Sequence, residues 1–165
     1  MFTLHCTKKL LDRIQPQIAA PSNASTRLGN WYATALFWKP QMALLVNERT
    51  LLPVMMPLAP AATLAKRFPA ALKEVLQGLG LPPEFTQAEI ENMDEVVYAK
   101  TANRSVVGMM NEFAFLAEAF RDRGATVDTL VLSLKLAGVP CGPLSKGAGF
   151  PEDAVRELAA GGGVH

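Results

Sequence analysis

The residues best suited to chemistry lie close together between Lys100 and Phe113, in the segment Lys-Thr-Ala-Asn-Arg-Ser-Val-Val-Gly-Met-Met-Asn-Glu-Phe. This segment is typical of the end of a strand followed by a helix that Asn103 caps. Unpaired N–H groups at a helix N-terminus attract anions, and the side chains of Lys100, Arg104 and Ser105 would lie beside them. The pattern therefore predicts a candidate anion or phosphate site.

The helix that follows has two different faces at about 100° per residue. The residues predicted to face the core are Val106, Met109, Met110, Phe113, Leu116, Ala117 and Phe120. The residues on the opposite face are Arg104, Gly108, Asn111 and Phe115. Gly108 costs about 1 kcal/mol relative to alanine in a helix interior, and the helix dipole disfavours the Arg104 cation in the first turn. A bound anion would offset both costs, so Asn111 joins the candidate ligand-binding residues.

A purely structural interpretation of the same residues remains open. Asn103 would cap the helix, and Arg104 would point to water or pair with Glu112. Gly108 would then serve to let another element pack closely against the helix. Features of this kind are more often structural than functional.

Three more candidates lie outside this segment. Lys8, early in the first predicted helix, could add positive charge to a pocket, although the alternative is a solvated helix face. Trp31 could stack on a base or a sugar, although an aromatic residue in a strand is more often part of the core. Glu48, in the turn Asn47-Glu-Arg-Thr50, is the best candidate for a general base if the protein is an enzyme. The alternative is a carboxylate that only stabilises the turn.

The histidines and cysteines do not predict a metal site. A zinc site needs three or four ligands, and the candidates are only His5, Cys6, Cys141 and His165. His5 and Cys6 are neighbours on a predicted strand and point to opposite faces, so the imidazole cannot activate the thiol. We predict no metal and no cofactor, and we expect Cys6 to be buried packing.

The helices and strands predicted to carry the candidate site residues indicate an α+β domain. An antiparallel sheet is expected from an N-terminal strand at residues 2–5, a central meander and a strand near 95–100. The meander is predicted at 31–39, 42–47 and 50–56, with Pro53 favouring an edge. Helices are predicted at 8–14, 61–78, 103–120, 127–136 and 151–160, and Thr86-Gln-Ala-Glu89 matches a capping box. We expect one domain over 1–140 and a glycine-rich C-terminal tail over 141–165 with one short helix.

Composition limits the class of protein. Half of the 165 residues are hydrophobic and the formal net charge is +1, so nucleic acid is not indicated by charge but is not excluded. Two distant cysteines fit reduced thiols. The N-terminus lacks the order of charges of a signal peptide, and the most apolar stretch is broken by prolines. We therefore expect a cytoplasmic protein without a membrane partner.

Several segments together resemble a known family. They are His5-Cys-Thr-Lys-Lys-Leu-Leu11, Leu28-Gly-Asn-Trp-Tyr-Ala33, Asn47-Glu-Arg-Thr50 and Lys100-Thr-Ala-Asn-Arg-Ser-Val-Val-Gly-Met-Met-Asn111. The chain resembles, over about residues 3–118, the bacterial domain of unknown function DUF6933. It departs from that pattern at Tyr32, where a histidine often follows the tryptophan, and at Lys39-Pro-Gln, which lacks a basic pair. The resemblance implies a bacterial origin and a single domain but no activity.

Two functions therefore remain open. The first is a binding or regulatory domain, with a small anion or a protein as its partner and a homo-oligomer as a further candidate; the exposed Phe115 would serve a protein partner. The second is an enzyme that handles nucleotides or RNA, in which Lys100, Arg104 and Ser105 hold phosphate and Glu48 acts as base. The first is favoured, because no nucleophile–base pair or metal set is apparent in the sequence.

Overall fold

The computed structural model describes residues 1–121 and 126–161, and these residues form a five-stranded sheet with helices on both faces. The strands are β1 (Phe2–Cys6), β2 (Trp31–Leu36), β3 (Met42–Asn47), β4 (Pro53–Pro57) and β5 (Val96–Lys100). The helices are α1 (Lys8–Ile14), α2 (Leu64–Gly78), α3 (Pro83–Glu91), α4 (Arg104–Phe120), α5 (Thr129–Ala137) and α6 (Pro151–Gly161). The α+β class is confirmed.

The sheet is mixed, so the prediction of a purely antiparallel sheet is wrong. Its strand order is β4-β3-β2-β1-β5. The meander of β2, β3 and β4 is antiparallel as predicted, but β1 pairs in parallel with both β2 and β5. The reason is that α1 connects β1 to β2, while α2 and α3 connect β4 to β5. Each helical connection crosses over one face of the sheet and returns the chain to the end of the sheet at which the previous strand began, so the next strand runs parallel to it.

Each face of the sheet has its own apolar cluster. On the first face, the strands pack against α2 and α3; the largest residues of this cluster include Phe2, Leu4, Trp31, Leu45, Phe68 and Leu72. On the second face, the strands pack against α4 and part of α5; this cluster includes Tyr32, Leu44, Val46, Val106, Met110 and Phe113. The side chains of each strand alternate between the two faces, so both β2 and β3 are buried throughout.

Each edge of the sheet is contacted by another part of the chain. Beside β4, the hydroxyl of Ser133 on α5 accepts a hydrogen bond from the Met55 N–H at 2.8 Å. Beside β5, the segment around Ile18 runs in parallel, and the Ala19 N–H donates to the Tyr98 carbonyl at 2.9 Å. Pro53 lies on the β4 edge strand, as predicted. Each of these contacts occupies one backbone group of an edge strand and shields part of that edge from pairing with another chain.

The predicted capping box is wrong. The α3 helix begins at Pro83, so Thr86 and Glu89 lie within the helix rather than at its start. Proline suits the first position of a helix, because its missing N–H has no intrahelical partner there. Thr86 and Glu89 are both buried, and they face the rest of the molecule.

The C-terminal part of the chain packs on the domain as far as it is described. Val155 of α6 is fully buried in the first-face cluster, and Cys141 is buried in the second-face cluster. The Arg156 side chain donates to the Leu79 carbonyl at 3.2 Å. The helix predicted at 151–160 is present as α6, and residues 162–165 lie outside the described part. The division into a 1–140 domain and a 141–165 tail stays a prediction.

Candidate functional site

Strands β1, β2 and β5 pair in parallel, so their carboxyl ends point to one edge of the sheet, which we call the carboxyl edge. The chain leaves β1 for α1, whose Leu10 packs on the first face. It leaves β5 for α4, which packs on the second face. The neighbouring strands β1 and β5 are therefore followed by helices that lie on opposite faces of the sheet. In open sheets with parallel strands, such a switch point is where ligands bind.

The predicted cap at the start of α4 is confirmed. The Asn103 Oδ1 accepts hydrogen bonds from the N–H groups of Ser105 at 2.9 Å and Val106 at 3.2 Å. The Asn103 carbonyl also accepts from the Val107 N–H at 3.1 Å. Asn103 therefore uses N–H groups that the sequence assigned to an anion. A ligand at this helix start must be held mainly by side chains.

An open cavity of about 460 Å³ lies against the first turns of α4. It is lined by Thr101, Ala102, Arg104, Val107, Gly108 and Asn111. A Cβ atom added to Gly108 would meet no other atom within 4 Å, so the glycine does not serve close packing by another element. Within the described residues, Arg104 makes no ion pair with Glu112 or with any other acid. The pairing of Arg104 with Glu112 and the close packing at Gly108 are therefore not observed, whereas the exposure of Arg104 agrees with the alternative of a side chain that points to water.

His5 and Tyr32 lie on the second face of the sheet and reach the segment that joins β5 to α4. Their rings stack with centroids 4.4 Å apart and an interplanar angle of 16°. The His5 Nδ1 lies 2.9 Å from the Lys100 carbonyl oxygen. The Tyr32 hydroxyl oxygen accepts a hydrogen bond from the Asn103 N–H at 2.9 Å. The two side chains are 5% and 3% exposed, so the protein holds both in fixed positions.

His5 and Tyr32 each make one of these hydrogen bonds and could form another. A carbonyl oxygen only accepts, so the contact with Lys100 places a proton on Nδ1 of His5. Nε2 has no partner among the described residues and is not one of the fully buried unpaired atoms, so it keeps contact with solvent. The Tyr32 hydroxyl accepts one hydrogen bond but donates none within the same residues. Nearby on this face, the Thr7 and Thr34 hydroxyls bond each other at 2.8 Å.

The sequence did not predict the contacts that His5 and Tyr32 make with the segment joining β5 to α4. One signal was present in β1, where apolar Phe2, Leu4 and Cys6 alternate with polar Thr3 and His5. In a strand that is buried on both sides, such alternation indicates that the polar side chains on one face are also buried. The partner of His5 could not be found in this way, because the parallel register that places it beside Tyr32 depends on a crossover connection.

The other predicted site residues divide between the two ends of the sheet. Lys100, Ser105 and Lys8 lie at the carboxyl edge with Arg104, but the Lys8 side chain is 91% exposed and pairs with Asp12 at 3.6 Å. Trp31 is 1% exposed and packs edge-on against Phe68 at 4.8 Å. This placement puts Trp31 in the core, where it cannot stack on a ligand.

Glu48 lies at the end of the sheet opposite to Arg104. Its Oε1 accepts a hydrogen bond from the Asn30 N–H at 3.0 Å, just before β2 begins. The register of β1 with its two neighbours places Lys100 level with Cys6 and Cys6 level with Ala33, so Asn30 lies three residues earlier, or about 10 Å at the usual rise of a strand. Among the described residues no contact joins Glu48 to Arg104, and the observed role of Glu48 is that of a carboxylate that stabilises the turn.

The cysteines are buried thiols, and their surroundings disfavour the thiolate. Burial raises the pKa of Cys6 to about 12 and that of Cys141 to about 11. They belong to clusters on opposite faces of the sheet. In the part of the chain that the structure describes, no three His, Cys, Asp or Glu side chains are grouped as a metal site would require. His165 lies outside that part.

Among the described helices, none combines the length and the hydrophobicity that a membrane crossing requires.

Residues 3–154 match the family described as "Domain of unknown function (DUF6933)", and the chain belongs to that family. The resemblance seen in the sequence is thereby confirmed, and the match continues beyond residue 118 through α5 and into α6. Neither a curated protein nor a solved structure shows a significant match to the chain. The family description assigns no activity, so a function must be argued from the site.

Proposed function

We propose that this protein is a ligand-binding domain that takes a small anion at the start of α4. One observation carries the proposal: an arginine without an ion-pair partner among the described residues lines a cavity that a glycine holds open. A side chain at position 108 would fill part of that space. A guanidinium group binds phosphate and carboxylate in a planar, bidentate geometry that suits a partly open cavity.

The charges around the carboxyl edge agree with an anionic ligand. Lys100 ends β5 and Arg104 begins α4, while Lys8 and Lys9 begin α1. The nearest acids on the same helices are Asp12, which pairs with Lys8, and Glu112. The formal charge of the whole chain is only +1, so this local excess of cations would attract a small anion without making the protein a general binder of nucleic acid.

Binding rather than catalysis is the function that these residues support best. The alternative enzyme relied on Glu48 as a base, and Glu48 lies at the other end of the sheet. A regulatory role for the domain, a cytoplasmic location and a bacterial origin stay predictions. A protein partner or self-association at Phe115, which is 71% exposed on the same face of α4 as Arg104, also stays a prediction.

Two substitutions of Gly108 test the cavity directly. Gly108→Ala adds a Cβ that meets no other atom, so we expect it to raise the free energy of unfolding by about 0.5–1 kcal/mol and to leave binding unchanged. Gly108→Leu should fill the cavity and abolish binding. The measurement is the shift in melting temperature with inorganic phosphate, nucleotides, small carboxylates and short RNAs, because a ligand that binds the native state raises that temperature.

Arg104→Ala completes this experiment. We expect it to abolish the ligand-dependent shift while changing the melting temperature of the free protein little, since Arg104 is exposed and has no ion pair among the described residues. A shift that survives both Arg104→Ala and Gly108→Leu would place the ligand elsewhere. If no anion in the panel shifts the wild-type protein, the proposal is wrong.

A further inference from the structure

The outward face of α4 carries both a projecting aromatic ring and a recess. Phe115 is 71% exposed, more than any other large apolar side chain in the part of the chain that the structure describes. Two turns earlier, Gly108 has no side chain, and a Cβ added there would meet no other atom within 4 Å. The two positions lie on the same face of the helix, about 10 Å apart along its axis. A single copy therefore leaves an apolar ring in water close to an unfilled recess.

The recess has the shape that receives a side chain from a second helix. Four of the residues that line it follow the spacing i, i+3, i+4 and i+7; they are Arg104, Val107, Gly108 and Asn111. Residues three and four apart are neighbours on a helix surface, and four such residues form the hole that one side chain of the facing helix enters in a coiled coil. The cavity volume of about 460 Å³ is sufficient for a phenyl ring, since a cavity of roughly 150 Å³ can bind benzene.

An antiparallel pair of α4 helices brings ring and recess together twice. When Phe115 of one copy enters the hole between Val107 and Gly108 of the other, the two helices are related by a twofold axis near residues 111 and 112. The same symmetry places the second ring in the second recess. A parallel twofold pair would instead put Phe115 beside Phe115 and leave both recesses empty. The positions of ring and recess therefore favour the antiparallel direction.

The charges along the same face agree with this direction. Arg104 begins α4 without an ion-pair partner among the described residues, and Glu118 lies near the end of the helix. In the antiparallel pair, Arg104 of each copy lies level with residues 118 and 119 of the other. Glu118 already pairs with Arg121 at 3.0 Å, and its carboxylate has oxygen lone pairs for a second donor. The guanidinium group at the rim of the hole can also contact the face of the incoming Phe115 ring.

We infer that this protein forms a twofold dimer through α4, in which Phe115 of each copy fills the cavity at Gly108 of the other. The same cavity is the proposed anion site, so the two occupants exclude each other and a bound anion releases the dimer. This competition rests on the proposed function, whereas the pairing of the helices does not. One helix pair buries less area than a standard stable interface, so we expect a weak dimer that forms at micromolar concentrations or above.

Two variants that each disrupt the pairing alone should restore it together. Gly108→Leu fills the recess and keeps the ring, whereas Phe115→Ala removes the ring and keeps the recess. In a mixed pair, the ring of the first variant enters the recess of the second, and the introduced leucine faces the introduced alanine. By analytical ultracentrifugation, we expect each variant alone to dimerise at least about tenfold more weakly than wild type. An equimolar mixture, with one variant fluorescently labelled, should form heterodimers with an affinity close to that of wild type.

A matched control separates this contact from general stickiness of exposed rings. Phe37 is 57% exposed and lies after β2, outside α4. Phe37→Ala should dimerise like wild type. Gly108 and Phe115 are both exposed, so we expect their variants to fold, and thermal melting verifies that they do.

The competition is tested with an anion that raises the melting temperature of the wild-type protein in the panel described above. Adding that anion should weaken the wild-type dimer, and raising the protein concentration should weaken anion binding by the same factor, because linkage between the two equilibria is reciprocal. Phe115→Ala leaves the cavity open at every protein concentration. Its affinity for the anion should therefore not change with protein concentration.

The outcomes separate this inference from the proposed function. A wild-type protein that stays monomeric up to its solubility limit would overturn the inference and leave the anion site intact. Dimerisation that survives in Phe115→Ala, or a mixture that pairs no better than either variant alone, would overturn the assignment of ring and recess. A dimer that persists with the anion bound would overturn the competition. If no anion binds, the proposed function fails, and the mixing experiment still decides the pairing.

Discussion

Glu89 shows how a single buried carboxylate holds a loop against a helix. It is 2% exposed and accepts hydrogen bonds from the N–H groups of Arg27 at 2.7 Å and Leu28 at 3.2 Å. Desolvation by burial raises the pKa of Glu89, although these two hydrogen bonds and the charges of Arg27 and Arg49 act against the rise. Burial therefore disfavours the charged form of Glu89, while its two hydrogen bonds hold the loop before β2 against α3.

This residue predicts a pH dependence of stability. Because the pKa of Glu89 is higher in the folded than in the unfolded protein, the folded state binds the proton more tightly. The contribution of Glu89 to the free energy of unfolding is then largest below the unfolded-state pKa, about 4.3. It decreases as the pH rises through the folded-state value. In Glu89→Gln, this pH-dependent part should vanish.

At neutral pH, Glu89→Gln should also lower the free energy of unfolding by about 1–3 kcal/mol, since its amide can accept from one backbone N–H but not from both. Urea denaturation between pH 4 and 8 measures both effects. The exposed Glu91 on the same helix provides the control, Glu91→Gln, which should follow the wild-type curve. Identical pH slopes for wild type and Glu89→Gln would show that the folded-state pKa of Glu89 is not raised.

At the residue scale, the sequence predicts what depends on near neighbours. The cap at Asn103 is predicted correctly because its partners are two and three residues away. The roles of Glu89 and His5 could not be predicted, because their partners lie far along the chain. Thr86 and Glu89 matched a local capping pattern, but a proline earlier in the segment started the helix and turned both side chains inward.

At the scale of elements, the β4 edge depends on one serine of α5. The Ser133 hydroxyl accepts from the Met55 N–H and donates to the Thr129 carbonyl at 2.7 Å. Met55 and Ser133 are both buried. The Ser133 hydroxyl thus accepts the hydrogen bond of a strand N–H that has no acceptor on a neighbouring strand.

Ser133→Ala should therefore leave the Met55 N–H unpaired in a dry environment. We expect a loss of about 1–3 kcal/mol in the free energy of unfolding and faster hydrogen exchange at Met55. The exposed Ser105 offers a matched control, because its hydroxyl has no hydrogen bond in the described structure. If Ser133→Ala is no more destabilising than Ser105→Ala, water replaces the hydroxyl and the edge does not depend on it.

The elements themselves were largely predictable, but their arrangement was not. Apolar spacing places α4 and α2 close to their observed bounds, because helical periodicity is a local property. The direction of β1 and β5 could not be predicted in the same way. It depends on which face the connecting helices cross, and the pattern of one segment carries no such information. The carboxyl edge, and with it the candidate site, follows from those directions.

At the scale of the whole molecule, α6 is part of the packed core. Val155 is fully buried in the first-face cluster, and the Arg27 side chain donates to the Leu158 carbonyl. This helix therefore joins the C-terminal part of the chain to the loop that Glu89 also holds.

We expect Val155→Ala to lower the free energy of unfolding by about 1–3 kcal/mol, through lost burial and the cavity left behind. Glu157→Ala, on the exposed side of the same helix, should change it by less than about 0.5 kcal/mol. Chemical denaturation of both variants measures the difference. Equal small effects would mean that α6 is not part of the cooperative unit, as the glycine-rich composition first suggested.

The position of β1 between β2 and β5 limits how early the chain can fold during synthesis. The ribosome makes β1 before the other four strands, yet one of its two neighbours is β5, which pairs Val96 with Phe2. Until residue 100 has left the exit tunnel, β1 has one side without a partner. A nascent chain halted before that point exposes a strand edge that binds chaperones or other copies. We therefore expect productive folding to begin late, after β5 has emerged.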